Sequence, residues 1–144
     1  MEDEAAADDL LDLSMAVAVH QHEHGSCYCH AHPARATSWK NGSVMHVASL
    51  PGFSITVFSQ CAFGLKTPMG KPMKKETALL SNIPAVHALF KKEGRCKCQV
   101  QHKHCVGSEN GIKLSRWAQR YPRNMCVNLI CAFKEHILDM ANPP

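Results

Sequence analysis

The chain has 144 residues, of which 45% are hydrophobic and 19% charged; that length and balance fit one globular domain with a core and exclude a disordered chain. No stretch reaches the roughly 20 consecutive apolar residues of a membrane span, and an acidic N-terminus is the reverse of a secretory signal. The sequence therefore predicts an intracellular protein with no membrane partner, whose cysteines are thiols or metal ligands rather than disulfides.

The net charge of +4 conceals a split: residues 1–34 hold seven acids and no Lys or Arg, while residues 35–144 hold sixteen bases against five acids. The acids come early in a helix predicted over Ala5–His22, where the macrodipole favours them. Leu10, Leu11, Leu13, Val17 and Val19 mostly share one face of it, and Gly25 ends it. A short strand fits Cys27–Ala31, stopped by Pro33. Thr37 or Ser38 can cap a helix over Trp39–Leu50, which Pro51-Gly52 breaks. Phe53–Phe58 is the clearest strand, β-branched and aromatic. Lys66–Lys75, rich in Pro, Gly and Lys, reads as a loop. Thr77–Leu80 reads as a further strand, and Pro84 opens a helix that ends at Gly94. Arg95–Gly111 has few apolar residues. Tyr121-Pro122 then opens a last helix with Met125, Leu129, Ile130, Phe133, Ile137 and Met140 on one broad stripe.

Ten histidines and eight cysteines make a soft-ligand composition. Their densest useful cluster is Cys96-Lys97-Cys98 followed by His102-Lys103-His104-Cys105. Zinc takes four N or S donors in a tetrahedron, and Cys96, Cys98, His102, His104 and Cys105 are the candidates. A segment with so little to bury needs something other than a core to fix it. The His20-Gln21-His22-Glu23-His24 run reads instead as a solvated helix end. Cys27, Cys29, Cys61, Cys126 and Cys131 read as packing thiols.

From Lys66 to Arg123 there are thirteen bases against three acids. Lys71, Lys74 and Lys75 on the Gly/Pro loop, with Lys91, Lys92 and Arg95 near the Cys/His segment, are the candidate phosphate contacts for DNA or another nucleic acid. Phe63, Trp117 and Tyr121 are the few aromatics available to stack on bases.

Several blocks resemble methyltransferase-like regions of retrotransposon and phage polyproteins. They are Gly25–Pro33 with Ala36-Thr37-Ser38-Trp39; Cys61-Ala62-Phe63-Gly64-Leu65 with Lys74-Lys75-Glu76-Thr77 and Ser81-Asn82; and Cys96, His102-Lys103-His104, Gly107-Ser108-Glu109 and Trp117–Pro122 with Cys126. That family is similar to the DNA cytosine-5 methyltransferases, in which a Glu protonates the flipped base and a Cys after Pro attacks it. Here Ala31 stands at the Glu position, no Cys follows a Pro, and no glycine-rich cofactor loop precedes a strand.

The resemblance implies an α/β fold, an incomplete Rossmann-like, methyltransferase-type sheet flanked by helices with a Cys/His-rich insertion. Its organisation would be an acidic helix over 1–24, a C-terminal half-domain over 25–140 with the Cys/His loop at 95–111, and a tail at 141–144. It further implies a catalytically inactive fragment from a mobile element, with a basic DNA-facing surface, no AdoMet site in this chain alone, and a partner chain that completes the sheet; the Cys/His segment adds a structural Zn2+ to that reading. The alternative is a small stand-alone zinc-binding, nucleic-acid-binding module.

Overall fold

The computed structural model describes residues 2–143; the last residue of the expected tail, Pro144, and Met1 lie outside them. Helix α1 (Glu2–Glu23) leads into strand β1 (Cys29–Pro33). A 3-10 turn (Thr37–Lys40) and helix α2 (Gly42–Ser49) follow, then β2 (Ser54–Ser59) and a second 3-10 turn (Gln60–Phe63). After β3 (Met73–Lys74) come β4 (Glu76–Ser81) and helix α3 (Pro84–Glu93). Next are β5 (Lys103–His104), β6 (Ser108–Glu109), β7 (Ile112–Lys113) and the short helix α4 (Leu114–Trp117), before α5 (Arg123–Ala141) closes the chain.

The main sheet has the order β1-β4-β2. β4 pairs antiparallel with both neighbours, with Ala31 opposite Leu79 and Thr56 opposite the same residue. β1 and β2 thus run parallel to each other on either side of a reversed central strand. The mixed α/β class is as expected; no two strands of this sheet pair in parallel, so a Rossmann-like identity does not follow from the ladder.

Helices cover both faces because β4 is apolar on both, as central strands are. Leu80 packs with Met15 and Ala18 of α1, Val44 and Val47 of α2, and Phe53. On the opposite face Leu79 packs with Phe58, Phe63, Val86, Phe90, Met125 and Ala132, drawn from β2, the 3-10 turn after it, α3 and α5. A smaller third cluster of Leu65, Met73, Leu114 and Ala118 lies under the loop-rich segment. Among the described residues, no helix is long and apolar enough to cross a membrane.

Three local expectations change. The helix expected over Trp39–Leu50 is a 3-10 turn followed by α2, because the Asn41 side chain accepts from the Ser43 amide and starts a new helix there. On α1, Leu11, Met15 and Ala18 face inward, whereas Leu10, Leu13 and Val17 lie on the far side and are exposed. On α5, Met125, Leu129, Ala132 and Phe133 pack inward while Ile130, Ile137 and Met140 are exposed. These last three lie round the helix from the seam that α3 covers. Cys131 is exposed for the same reason, not part of the core.

Candidate metal centre

Three chain segments converge beside the end of β2. Gln60, fully buried, anchors the turn that follows the strand: its amide donates to the Lys75 carbonyl at 2.9 Å, and its side-chain Nε2 donates to Thr77 Oγ1 at 2.8 Å. Cys61 is therefore held at a fixed point on the rim of the sheet. The second segment leaves α3 through Gly94, whose carbonyl accepts from the Ser59 amide at 2.9 Å. A Cβ at Gly94 would lie 2.3 Å from the Phe90 carbonyl oxygen and 2.5 Å from Phe58 Cβ. Only glycine lets the chain pass this close, and that passage brings Cys96 and Cys98 alongside Cys61. The third segment is fixed by the parallel pairing of β5 with β3 and by the Lys103 amide, which donates to the Pro72 carbonyl at 2.9 Å. It delivers His102.

The result is a Cys3His group: the ligand atoms of Cys61, Cys96, Cys98 and His102 all lie within 4.8 Å of one another. His102 Nε2 is 3.3 Å from Cys96 Sγ and 3.3 Å from Cys61 Sγ. In a tetrahedral zinc site the N···S and S···S separations are about 3.5 and 3.8 Å, set by bonds of roughly 2.0–2.1 and 2.3 Å. This group could hold a metal ion.

Its electrostatics are those of crowded thiols. Burial pushes the Cys61 thiol up to about 12, helped by hydrogen bonding and charge from Cys96 and Cys98. The exposed Cys96 is held below its ordinary value, chiefly by a backbone hydrogen bond at Cys98 and then by the Cys61 thiol. Cys96 therefore gives up its proton more readily than Cys61. A divalent cation reverses that logic by stabilising every thiolate it touches.

Of the five ligands expected from sequence, the structure brings together Cys96, Cys98 and His102. His104 is exposed on β5, and Cys105 turns away, its thiol 3.5 Å from the Lys74 carbonyl and packed against the Leu65 cluster. Cys61, expected as a packing thiol, takes the fourth place. No local spacing marks it, because its partners are 35 or more residues away.

The expected phosphate contacts separate into two places. Lys71 and Lys74 are exposed beside β3 and β5. Lys75 is engaged internally: its ammonium donates to the Ala118 carbonyl and lies 5.6 Å from the centre of the Tyr121 ring. Lys91 and Lys92 sit in the last turn of α3, where Lys92 pairs with Glu93 at 3.7 Å, and the exposed Arg95 follows Gly94. Sequence reading passed over Lys113, Arg116 and Arg120, which line a concavity of about 710 Å³ together with Trp117.

No protein-family model, curated protein or solved structure matches the chain.

Proposed function

We propose that the chain is a small zinc-organised, nucleic-acid-binding module in which Cys61, Cys96, Cys98 and His102 hold one structural Zn2+. The observation that carries this reading is the convergence of three sulfurs and one imidazole nitrogen within 4.8 Å from three separate chain segments. Soft thiolates with one imidazole select zinc over the hard cations. Four protein donors close the coordination sphere and leave no position for a catalytic water, so the ion's role is architectural. The segment it would tie down has little else to hold it: Val100 and Val106 are 62% and 71% exposed, and its β-pairs are two residues long. The basic residues of 66–123 supply the nucleic-acid part of the reading.

Metal analysis of the purified protein tests it. One zinc per chain is expected, with loss of ordered structure in the 95–111 segment when a strong chelator strips it. Protein that folds identically without stoichiometric metal would sink the reading.

A second reading keeps the family resemblance: an inert methyltransferase-like half-domain of mobile-element origin. It is favoured by β1 and β2, which run parallel to each other, joined through α2, with helices on both sheet faces. Ala31, at the position of the proton-donating Glu, packs against the Phe58 and Phe90 cluster, and its carbonyl accepts from the Tyr121 hydroxyl at 3.5 Å. Methyl transfer has no acid there. On either reading calorimetry should detect no binding of AdoMet, and a measurable affinity would overturn both.

A further inference from the structure

The basic residues of the chain's second half are not spread evenly over its surface. Four concavities run into one another by sharing wall residues. The largest, about 710 Å³, is walled by Lys113, Arg116 and Arg120 around the Trp117 indole. It shares Trp117 and Arg120 with a shallower one of about 170 Å³ that adds Lys66. Through Gln119 it joins a third, of about 500 Å³, that adds Arg35 and Lys74. That one continues through His104 into a fourth, of about 370 Å³, with Lys71 and Lys103 on its walls. Glu76 is the one acid on these walls.

We propose that this trough is a binding site for single-stranded nucleic acid, with Trp117 as its stacking platform. The inference rests on, and deepens, the nucleic-acid part of the reading above. Three features choose a single strand over a duplex. First, the cationic groups lie along a line of concavities rather than on a convex element that could enter a groove. α4 has only four residues and the strands beside it two each, and none of these can act as a recognition helix or ribbon in a major groove. Second, Trp117 donates its indole Nε1 to the Lys66 carbonyl at 2.8 Å. The ring's polar edge is thereby satisfied and its orientation fixed, while it still lines two of the concavities. A fixed aromatic face among cations is what an unpaired base stacks on. Third, Arg116 and Arg120 line the same concavity as that ring and have no ion-pair partner among the described residues, Lys92–Glu93 being the recorded pair. They are free to take phosphate in the bidentate manner for which Arg is suited.

The test uses zinc-loaded full-length protein and a labelled oligothymidylate of about twelve nucleotides, within the range of site sizes that single-strand grooves cover. Binding is expected to weaken about a hundredfold between roughly 50 and 200 mM salt, as about five phosphate contacts would give at a slope near 0.7 each. In a Trp39→Phe background, where Trp117 is the remaining tryptophan, the oligonucleotide should quench the indole emission. Arg116→Glu with Arg120→Glu, both on exposed side chains, should cost tenfold or more in affinity. Lys40→Glu with Lys134→Glu, exposed and outside the trough, should change it less than about twofold.

Absence of binding, an affinity untouched by the Arg116/Arg120 pair, or a duplex of equal length bound as tightly without quenching would each overturn the proposal. The zinc content of the same samples keeps the two readings apart. Protein that holds zinc and ignores the oligonucleotide defeats the trough alone. Protein that binds the oligonucleotide through Arg116 and Arg120 with no zinc defeats the metal centre alone.

Discussion

Cys61 and His102 stand 41 residues apart in the chain, yet His102 Nε2 approaches Cys61 Sγ to 3.3 Å. One belongs to the rim of the sheet, the other to the loop-rich segment after α3, and their meeting completes a donor set that neither segment has alone. If zinc fills that set, Cys61→Ala should abolish stoichiometric metal as completely as Cys96→Ala, raising the Kd a hundredfold or more. Cys105→Ala, whose thiol faces the Leu65 cluster, should keep one zinc per chain. Metal-to-protein ratios after dialysis decide between these outcomes, and retention of zinc by Cys61→Ala would disprove the assignment.

Gly94 is constrained by space, since its φ of −80° is open to any residue. Gly94→Ala drives a methyl group into the Phe90 carbonyl and the Phe58 side chain. Overpacking of this kind costs about 1–3 kcal/mol, read as a lower urea midpoint. Because the same passage seats Cys96 beside Cys61, the variant should also bind zinc more weakly than wild type. Gly70→Ala, with nothing within 4 Å of its Cβ position but a φ of +85°, should lower stability through backbone strain and leave metal affinity unchanged.

His87 is buried between β2, β4 and α3 as a polar clasp. Its Nε2 donates to the Ser81 carbonyl at 2.9 Å, and its Nδ1 shares a hydrogen bond with the Thr56 hydroxyl at 2.6 Å. His87→Leu strands both partners, and each unsatisfied buried group costs roughly 1–3 kcal/mol. The double variant His87→Leu with Thr56→Val should recover part of the loss. Thermal unfolding of the single and double variants measures the recovery, and its absence would mean that the two side chains are not coupled.

The stacked pair His30 and His32, with ring centres 5.6 Å apart, gives the chain a pH dependence of known sign. Burial holds both below the ordinary value of 6.5, and His32 adds repulsion at His30. The folded state therefore favours the neutral rings, while the unfolded chain takes up protons first as pH falls. Their contribution is fully present above about pH 6.5, declines below it, and is lost once the pH passes the folded values. The wild type should accordingly lose more stability between pH 7.5 and 5.5 than His30→Gln with His32→Gln. Acid release of metal is common to both proteins and cancels in the comparison.

The elements that carry strong local signals were legible in the sequence. β2, with its β-branched and aromatic run, is displaced by one residue from the expected Phe53–Phe58, and α3 begins at Pro84 and ends before Gly94 as read. The 95–111 segment shows where legibility stopped. Asn110-Gly111, both at positive φ, turn β6 back onto β7. That dipeptide is a strong hairpin signal, but the strands it joins are two residues each, too short to show an alternating pattern. In the site itself, Cys96, Cys98 and His102 stand out because they are close in sequence. Cys61 does not, because only the Gly94 passage and the β3–β5 pairing bring it near them, and both are tertiary events. Lys113, Arg116 and Arg120 were counted in the charge but not placed, since no periodicity of short strands and a four-residue helix reveals a common trough.

A ligand drawn from the end of β2 changes what the ion would do to the unfolded chain. Joining Cys61 to Cys96 closes a loop of about 35 residues, and a link of that span removes conformational freedom from the denatured ensemble worth about 4 kcal/mol on the chain-entropy model. With zinc in place, the sheet and the segment beyond α3 should melt together in one calorimetric transition. Without it, the small Leu65 cluster is left to hold that segment to the sheet, and the melting curve should split in two.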